Sequence, residues 1–134
     1  ERLGAADGAL LVENGGDCYL RHAAPLTARL WAGAGSPFAD RVRFRLPAAP
    51  GGQGLCTSSG TVGHSYSAGR ADAVCVLAAS APAADAAATA LANAVAGPAD
   101  VDAALQRARA AGGLDGVLIA CGERLGLWGE IELL

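Results

Sequence analysis

The stretch Asp72-Ala73-Val74-Cys75-Val76-Leu77-Ala78-Ala79-Ser80-Ala81-Pro82-Ala83-Ala84-Asp85-Ala86-Ala87-Ala88-Thr89-Ala90-Leu91 is a strand signal followed directly by a helix signal. Asp72 to Ala78 is a short apolar run of strand length. Ser80 then suits an N-cap, Pro82 sits in the first turn, and Ala83 to Ala96 reads as helix closed by Gly97-Pro98. Ala84, Ala88, Leu91 and Val95 give that helix one apolar stripe. Asp100 is the expected cap of a second helix, Val101 to Ala111, in which Val101, Ala104, Leu105 and Ala108 repeat at i, i+3, i+4, i+7 before Gly112-Gly113. Two consecutive helices set between groups of strands predict an α+β domain, with both helices packed on one face of an antiparallel sheet.

Working outward, Ala9 to Glu13 and Cys18 to Arg21 flank Asn14-Gly15-Gly16-Asp17, so Gly8 to Arg21 predicts a hairpin. Arg29 to Ala34, around Trp31, reads as a further strand. Arg41 to Leu46 alternates charged and apolar residues, which predicts a half-buried strand with a solvated arginine face rather than an anion-binding row. Pro47 to Gly54 reads as a loop, and Leu55 to Ser59 as a strand. Asp115 to Cys121 and Gly126 to Leu133 predict a final strand pair.

Composition narrows the classes. At 134 residues the chain is one domain or part of one. Hydrophobic residues make up 52%, but aromatics only 4%, so alanine supplies much of the core and helices can approach their neighbours closely. The formal charge of −3, with no basic arm or stripe, excludes an evident nucleic-acid binder. All ten basic residues are Arg, so no lysine nucleophile or Schiff base is available. Cys18, Cys56, Cys75 and Cys121 form no C-x-x-C pair, which points to free thiols in a reducing cytoplasm rather than a zinc or dithiol site. The apolar runs are too short for a membrane span. No Met occurs, and the expectation is that the chain is the C-terminal portion of a longer protein.

Six of the ten Ser and Thr residues fall between Thr57 and Ser67, beside Gly60, Gly63, His64, Gly69 and Arg70. Hydroxyls and freed backbone N–H groups in a glycine-rich segment can converge on phosphate or carbonyl oxygens. Thr57, Ser58, Ser59, Gly60, Thr61 and Arg70 are therefore candidate ligand contacts, and His64 is the candidate acid or base. Asp85 and Thr89, four apart, project from one helix face about 40° round from each other. They are either an exposed Asp and a Thr bonded to its own backbone, or a hard-cation site in which one carboxylate and one hydroxyl take Mg²⁺ with water and ligand phosphate. Asn14, Gly15, Gly16 and Asp17 are either an ordinary hairpin tip or a polar loop lining a ligand cleft.

These stretches resemble a known family. Gly8 to Asp17 is similar to the strand and Gly-Gly-Asp turn of the ApbE superfamily, the FAD:protein FMN transferases. Trp31-Ala32-Gly33-Ala34-Gly35-Ser36-Pro37 resembles the strand that follows it there, and Thr57-Ser58-Ser59-Gly60 its Ser/Thr-Ser-Gly segment. Ala84 to Leu91 is similar to the Ala-Asp-Ala-x-x-Thr-Ala-Leu helix, whose Asp and Thr bind Mg²⁺ in the transferases. The string from Cys56 to Leu91 is still more similar to a smaller, uncharacterised sister family of ApbE-like proteins in bacteria and archaea. The likeness runs from about Gly8 to Val95 and corresponds to the C-terminal half of such a protein. It implies an α+β fold related to the T-fold, Mg²⁺ at Asp85 and Thr89, and FAD or FMN as ligand. The transferases carry Asp-Pro-x-Thr-Gly soon after the loop His; here His64 is followed by Ser65-Tyr66-Ser67-Ala68-Gly69-Arg70, without the Asp-Pro. The family's third metal ligand and much of its adenine contact come from the N-terminal half.

Three functions follow as expectations. The first is Mg²⁺-assisted binding of a flavin or another phosphorylated nucleotide, with FMN transfer or pyrophosphate hydrolysis as the chemistry. The second is a non-catalytic ligand-binding module on the same fold, which the missing Asp-Pro favours. The third is a hydrolase using Ser58, Ser59 or Cys56 with His64. The expected partners are a small-molecule nucleotide or flavin and an N-terminal half or second copy, with neither nucleic acid nor membrane.

Overall fold

A computed structural model describes residues 8–61 and 69–134. Among these residues, nine strands and two α-helices build three layers. A six-stranded sheet runs in the order β1 (Leu10–Asn14), β2 (Asp17–His22), β5 (Ala49–Ser58), β6 (Ala73–Ala78), β7 (Leu114–Cys121), β8 (Arg124–Gly129). A second sheet pairs β3 (Leu26–Arg29), β4 (Arg43–Leu46) and β9 (Glu132–Leu133). Every strand pairing among the described residues is antiparallel. The helices α1 (Ala81–Ala94) and α2 (Val101–Ala111) follow β6 in succession, as the α+β reading expected.

The period-two geometry of β6 and β7 sorts the core into two halves. Val74, Val76, Ala78, Val117 and Ile119 point into one cluster with Ala84, Ala88 and Leu91 of α1 and Val101, Ala104 and Ala108 of α2. Their alternates, Cys75, Leu77, Leu118 and Ala120, point the other way and pack with Leu30, Phe44, Leu46 and Ile131. All six residues of β6 are buried for this reason. The helices occupy one face, as expected; the other face is covered by the small sheet, which the sequence reading did not separate.

α1 lies close to β5 because its inner face is largely alanine. Gly54 marks the closest approach: a Cβ built there would run into the Ser80 carbonyl and the Ala81 nitrogen, at the helix start. Those backbone atoms cannot rotate away. Gly54→Ala is therefore expected to lower stability by about 1–3 kcal/mol through forced displacement of α1, read as a shift of the urea midpoint at unchanged slope.

Several boundaries differ from expectation. α1 starts two residues earlier than Ala83, with the Ser80 hydroxyl accepting the Ala83 N–H at 3.4 Å. Asp100 occupies the cap position of α2 but makes no cap bond to that helix. It already has a helical backbone at the end of a short 3₁₀ turn, and its Oδ2 accepts the Ala96 N–H at 2.9 Å, tying α2 back to α1. Arg29 to Ala34 is not a strand: β3 ends at Arg29, one more bond runs from Leu30 N to Val42 O, and the chain turns away through Gly33 at φ +85°. The stretch Pro47 to Gly54, expected as a loop, supplies the first part of β5. A register shift between Leu20 and His22 of β2 accommodates Pro50, Gly51 and Gly52 opposite, and Tyr19 fills the space that a side chain on Gly52 would need. Finally, Gly126 to Leu133 is two strands, β8 in the large sheet and β9 in the small one.

Two buried polar side chains are matched to each other. His22 Nδ1 lies 2.6 Å from the Ala24 carbonyl and can donate to it, leaving Nε2 to accept from Gln53 Nε2 at 2.9 Å. This pair holds β2 to β5 where the shift interrupts the ladder.

Candidate functional site

The β1–β2 turn is short. Asn14 pairs with Asp17, and Gly15 and Gly16 take φ +60° and +102°, backbone that only glycine adopts freely. Glu13 Oε1 accepts the Gly16 N–H at 3.2 Å. The Gly16 carbonyl in turn accepts the Thr57 N–H at 3.0 Å. That bond lays the hairpin tip against the end of β5, so the glycine turn and the hydroxyl segment meet although 40 residues separate them.

A cavity of about 590 Å³ opens there, between the β1–β2–β5 edge of the large sheet and the small sheet. Its polar end is lined by Gly15, Gly16 and Asp17, by Thr57, Ser58 and Ser59, and by Asp85 and Thr89 of α1. Its apolar wall comes from β3, β4 and the segment after β3, including Leu26, Leu30, Trp31, Phe44 and Leu46. The volume and the apolar wall with few polar groups suit a small organic ligand.

Eight of the residues singled out in the sequence thus face one space. Others do not line it. Asn14 is exposed at the hairpin tip. The Gly60 N–H donates to the Ala71 carbonyl at 2.9 Å, and the Thr61 hydroxyl to Asp72 Oδ1 at 3.2 Å. The Arg70 N–H donates to the Val95 carbonyl at 2.8 Å, and its side chain is exposed. These three fasten the two ends of the segment that joins β5 to β6. His64 lies outside the described residues. The apolar wall was not expected apart from Trp31: the period of two at Arg41 to Leu46 marks β4 as half-buried but not what it faces, and β3 and β9 are too short to carry a signal.

The electrostatics at the polar end are acidic. Burial pushes the Asp17 carboxyl above the ordinary aspartate value, and the charge of Asp85 pushes it further, partly offset by a hydrogen bond from Cys56. The sign follows: folded Asp17 holds its proton to higher pH than unfolded Asp17, so this group's contribution to stability is full below the ordinary value of 3.8 and is lost as pH rises through the raised one. Asp85→Asn is expected to bring the Asp17 midpoint part of the way down, since burial remains; carbon-detected NMR titration of the carboxyl reads it directly.

The oxygen donors Asp17, Asp85, Thr57 and Thr89 are of the hard type that suits Mg²⁺, which keeps several waters and needs only one or two carboxylates. Among the described residues, no three His, Cys, Asp or Glu side chains form a metal-ligating cluster. A cation here would rest on Asp85, Thr89, water and the ligand's own oxygens.

All four cysteines are free thiols, with Cys18 half-buried and the others buried. Burial pushes the Cys56 thiol up to about 12, and the neighbouring Asp17 and Asp85 add to the rise. Its Sγ lies 3.3 Å from the Ala81 carbonyl, so its single proton is shared between that oxygen and Asp17. A thiol so held is not a thiolate at neutral pH, which weakens the hydrolase reading at this residue. In native protein at pH 8, a thiol reagent is expected to leave Cys56 and Cys75 unmodified and to react first at Cys18, as peptide mapping would show.

A family model described as AbpE bacteria matches residues 3–127. The chain belongs to that family. Membership agrees with the ApbE-like resemblance carried by the Gly-Gly-Asp turn and the α1 motif. Relatives called UPF0280 protein align along most of the chain. The one from Methanothermobacter thermautotrophicus is 44% identical over 98% of this chain and 52% of its own length. One from Methanopyrus kandleri is 45% identical over 78% of this chain and 42% of its own. One from Methanococcus aeolicus is 42% identical over 91% of this chain and 50% of its own. The chain spans about half the length of the curated relatives it matches. No helix among the described residues is long and apolar enough to cross a membrane.

Proposed function

We propose that this protein binds a phosphorylated ligand of the flavin or nucleotide class, with Mg²⁺ held at Asp85 and Thr89. The observation that carries this reading is convergence: the glycine turn, the Thr57–Ser59 hydroxyls and the Asp85–Thr89 helix face line one cavity, although they lie on three separate elements. In this reading the hydroxyls of Ser58 and Ser59 donate to phosphate oxygens, the Thr57 hydroxyl turns to the ligand from its weak bond to Cys75 Sγ at 3.4 Å, and the small turn at Gly15 and Gly16 lets the ligand approach the backbone. Asp85 and Asp17 supply negative charge that a cation would neutralise, while the ligand's apolar part lies against the small sheet. When bound, Mg²⁺ would supply Lewis-acid polarisation of a pyrophosphate oxygen. FMN transfer and pyrophosphate hydrolysis are the two reactions such a site could serve, with the rest of the relatives' length contributing further ligand contacts.

A second reading, a ligand-binding module without turnover, is favoured by the absence of the Asp-Pro after His64. Calorimetric titration of full-length protein with FAD, FMN and ADP, with and without Mg²⁺, tests the proposal. Mg²⁺-dependent heat with a flavin is the expected result; no heat with any of the three would overturn it. Binding without release of a cleaved product over hours would favour the module.

A further inference from the structure

We propose that Trp31 is the stacking platform for the planar ring of the cavity's ligand, and that Arg29, braced by Asp40, reads the acceptor edge of that ring. The inference rests on the phosphorylated-ligand reading above and names the ligand as an oxo-substituted heteroaromatic ring. Leu30 and Ala32 are buried at 3% and 1%, whereas Trp31 between them is 57% exposed while lining the cavity. The chain has left β-strand geometry at this point, so the tryptophan is turned out to the mouth by a backbone fixed on both sides. Tryptophan is rarely left so open in a monomer, because much apolar area then stays in water.

Arg29 lines the same cavity. Its Nη1 donates to Asp40 Oδ1 at 2.7 Å. Asp40, at φ +56°, is the one non-glycine among the described residues in the left-handed region, which aspartate tolerates at a turn; the turn is closed by the Arg41 N–H donating to the Phe38 carbonyl at 3.2 Å. One donor of the guanidinium is thus committed to Asp40, and the others remain for ring carbonyls. Adenine lacks such carbonyls; flavin, pterin and guanine rings have them. The phosphate end at Thr57 and Asp85 and the ring end at Trp31 and Arg29 belong to one cavity with the apolar wall between.

The test titrates full-length protein with Mg²⁺ and either FMN, ADP or inorganic pyrophosphate, following heat and tryptophan emission together. Expected are tighter binding of FMN than of ADP and quenching by FMN that falls in Trp31→Ala to what the remaining tryptophans, Trp128 among them, give. Trp31→Ala should weaken FMN about ten- to a hundredfold while leaving pyrophosphate within about twofold. Trp31→Phe should restore most of the FMN affinity, and Arg29→Gln should narrow the preference for FMN over ADP. Equal weakening of FMN and pyrophosphate, unchanged FMN affinity, or FMN heat without Trp31-dependent quenching would overturn the ring assignment while leaving the phosphate reading standing. Absence of heat with every ligand would overturn both.

Discussion

Asp85→Ala is expected to abolish the Mg²⁺ dependence of ligand binding and to weaken the phosphorylated ligand by about ten- to a hundredfold, while leaving the fold intact. The side chain is exposed at the polar end of the cavity, one turn after the Ser80 cap, and no described hydrogen bond or ion pair is lost with it. Stability should therefore move by no more than about 0.5 kcal/mol, as for ordinary surface changes. Charge-assisted contacts of this kind are worth about 1.5–3 kcal/mol, which sets the expected affinity loss. Calorimetry with FMN and Mg²⁺, alongside a urea denaturation of the same variant, separates the two effects. Unchanged Mg²⁺ dependence in a folded variant would remove Asp85 from the site. The carboxylate's second consequence is read independently, because its charge also lifts Asp17.

Phe44→Ala is expected to act first on the fold: a loss of about 3–5 kcal/mol of stability, although Phe44 also belongs to the cavity wall. Phe44 is 2% exposed and sits in the middle of the cluster between the two sheets. It lies opposite Ala28 on β3, which is too small to fill the hole, and Leu133 on β9, which is 41% exposed at the edge of the cluster. With a total stability of about 5–15 kcal/mol for a domain of this size, the loss is a large fraction. The melting midpoint should fall by on the order of 10–20 °C. Arg45→Ala, at the next residue but on the solvent side, is the control. Its pairing with Glu132 at 3.4 Å is exposed, and its removal should cost about 0–1 kcal/mol.

What could be read from the sequence was what is local. The Ser80 cap, the alanine stripe of α1, the Gly15-Gly16 turn and the repeat in α2 are decided by neighbours within about seven residues, and each formed. The small sheet is decided by distance: Arg45 pairs with Glu132, 87 residues away, and β9 is too short to carry a period. The start of β5 was hidden because Pro50 and two glycines normally break strands, and only the register shift in β2 makes room for them. One further clue to the second layer lies in β6. Ala73 to Ala78 does not alternate, and an unbroken apolar strand needs cover on both faces, yet the helices account for one. Recognising that would have implied the second layer. The site followed the same division: the polar end could be guessed from Thr57, Asp17 and Asp85, whereas its apolar wall belongs to the hidden sheet.

The passage from β8 to β9 crosses from one sheet to the other within Glu130 and Ile131, and the Leu134 N–H donates to the Arg43 carbonyl at 3.0 Å. Ile131 is buried in the cluster beneath the cavity. The small sheet is thus buckled onto the large one by a five-residue strap, far along the chain from every polar residue of the site. A fluorophore attached through a cysteine introduced at Leu134 would pull on that strap and be felt as a change in ligand affinity. The same attachment at the exposed turn Gly122-Glu123 would not.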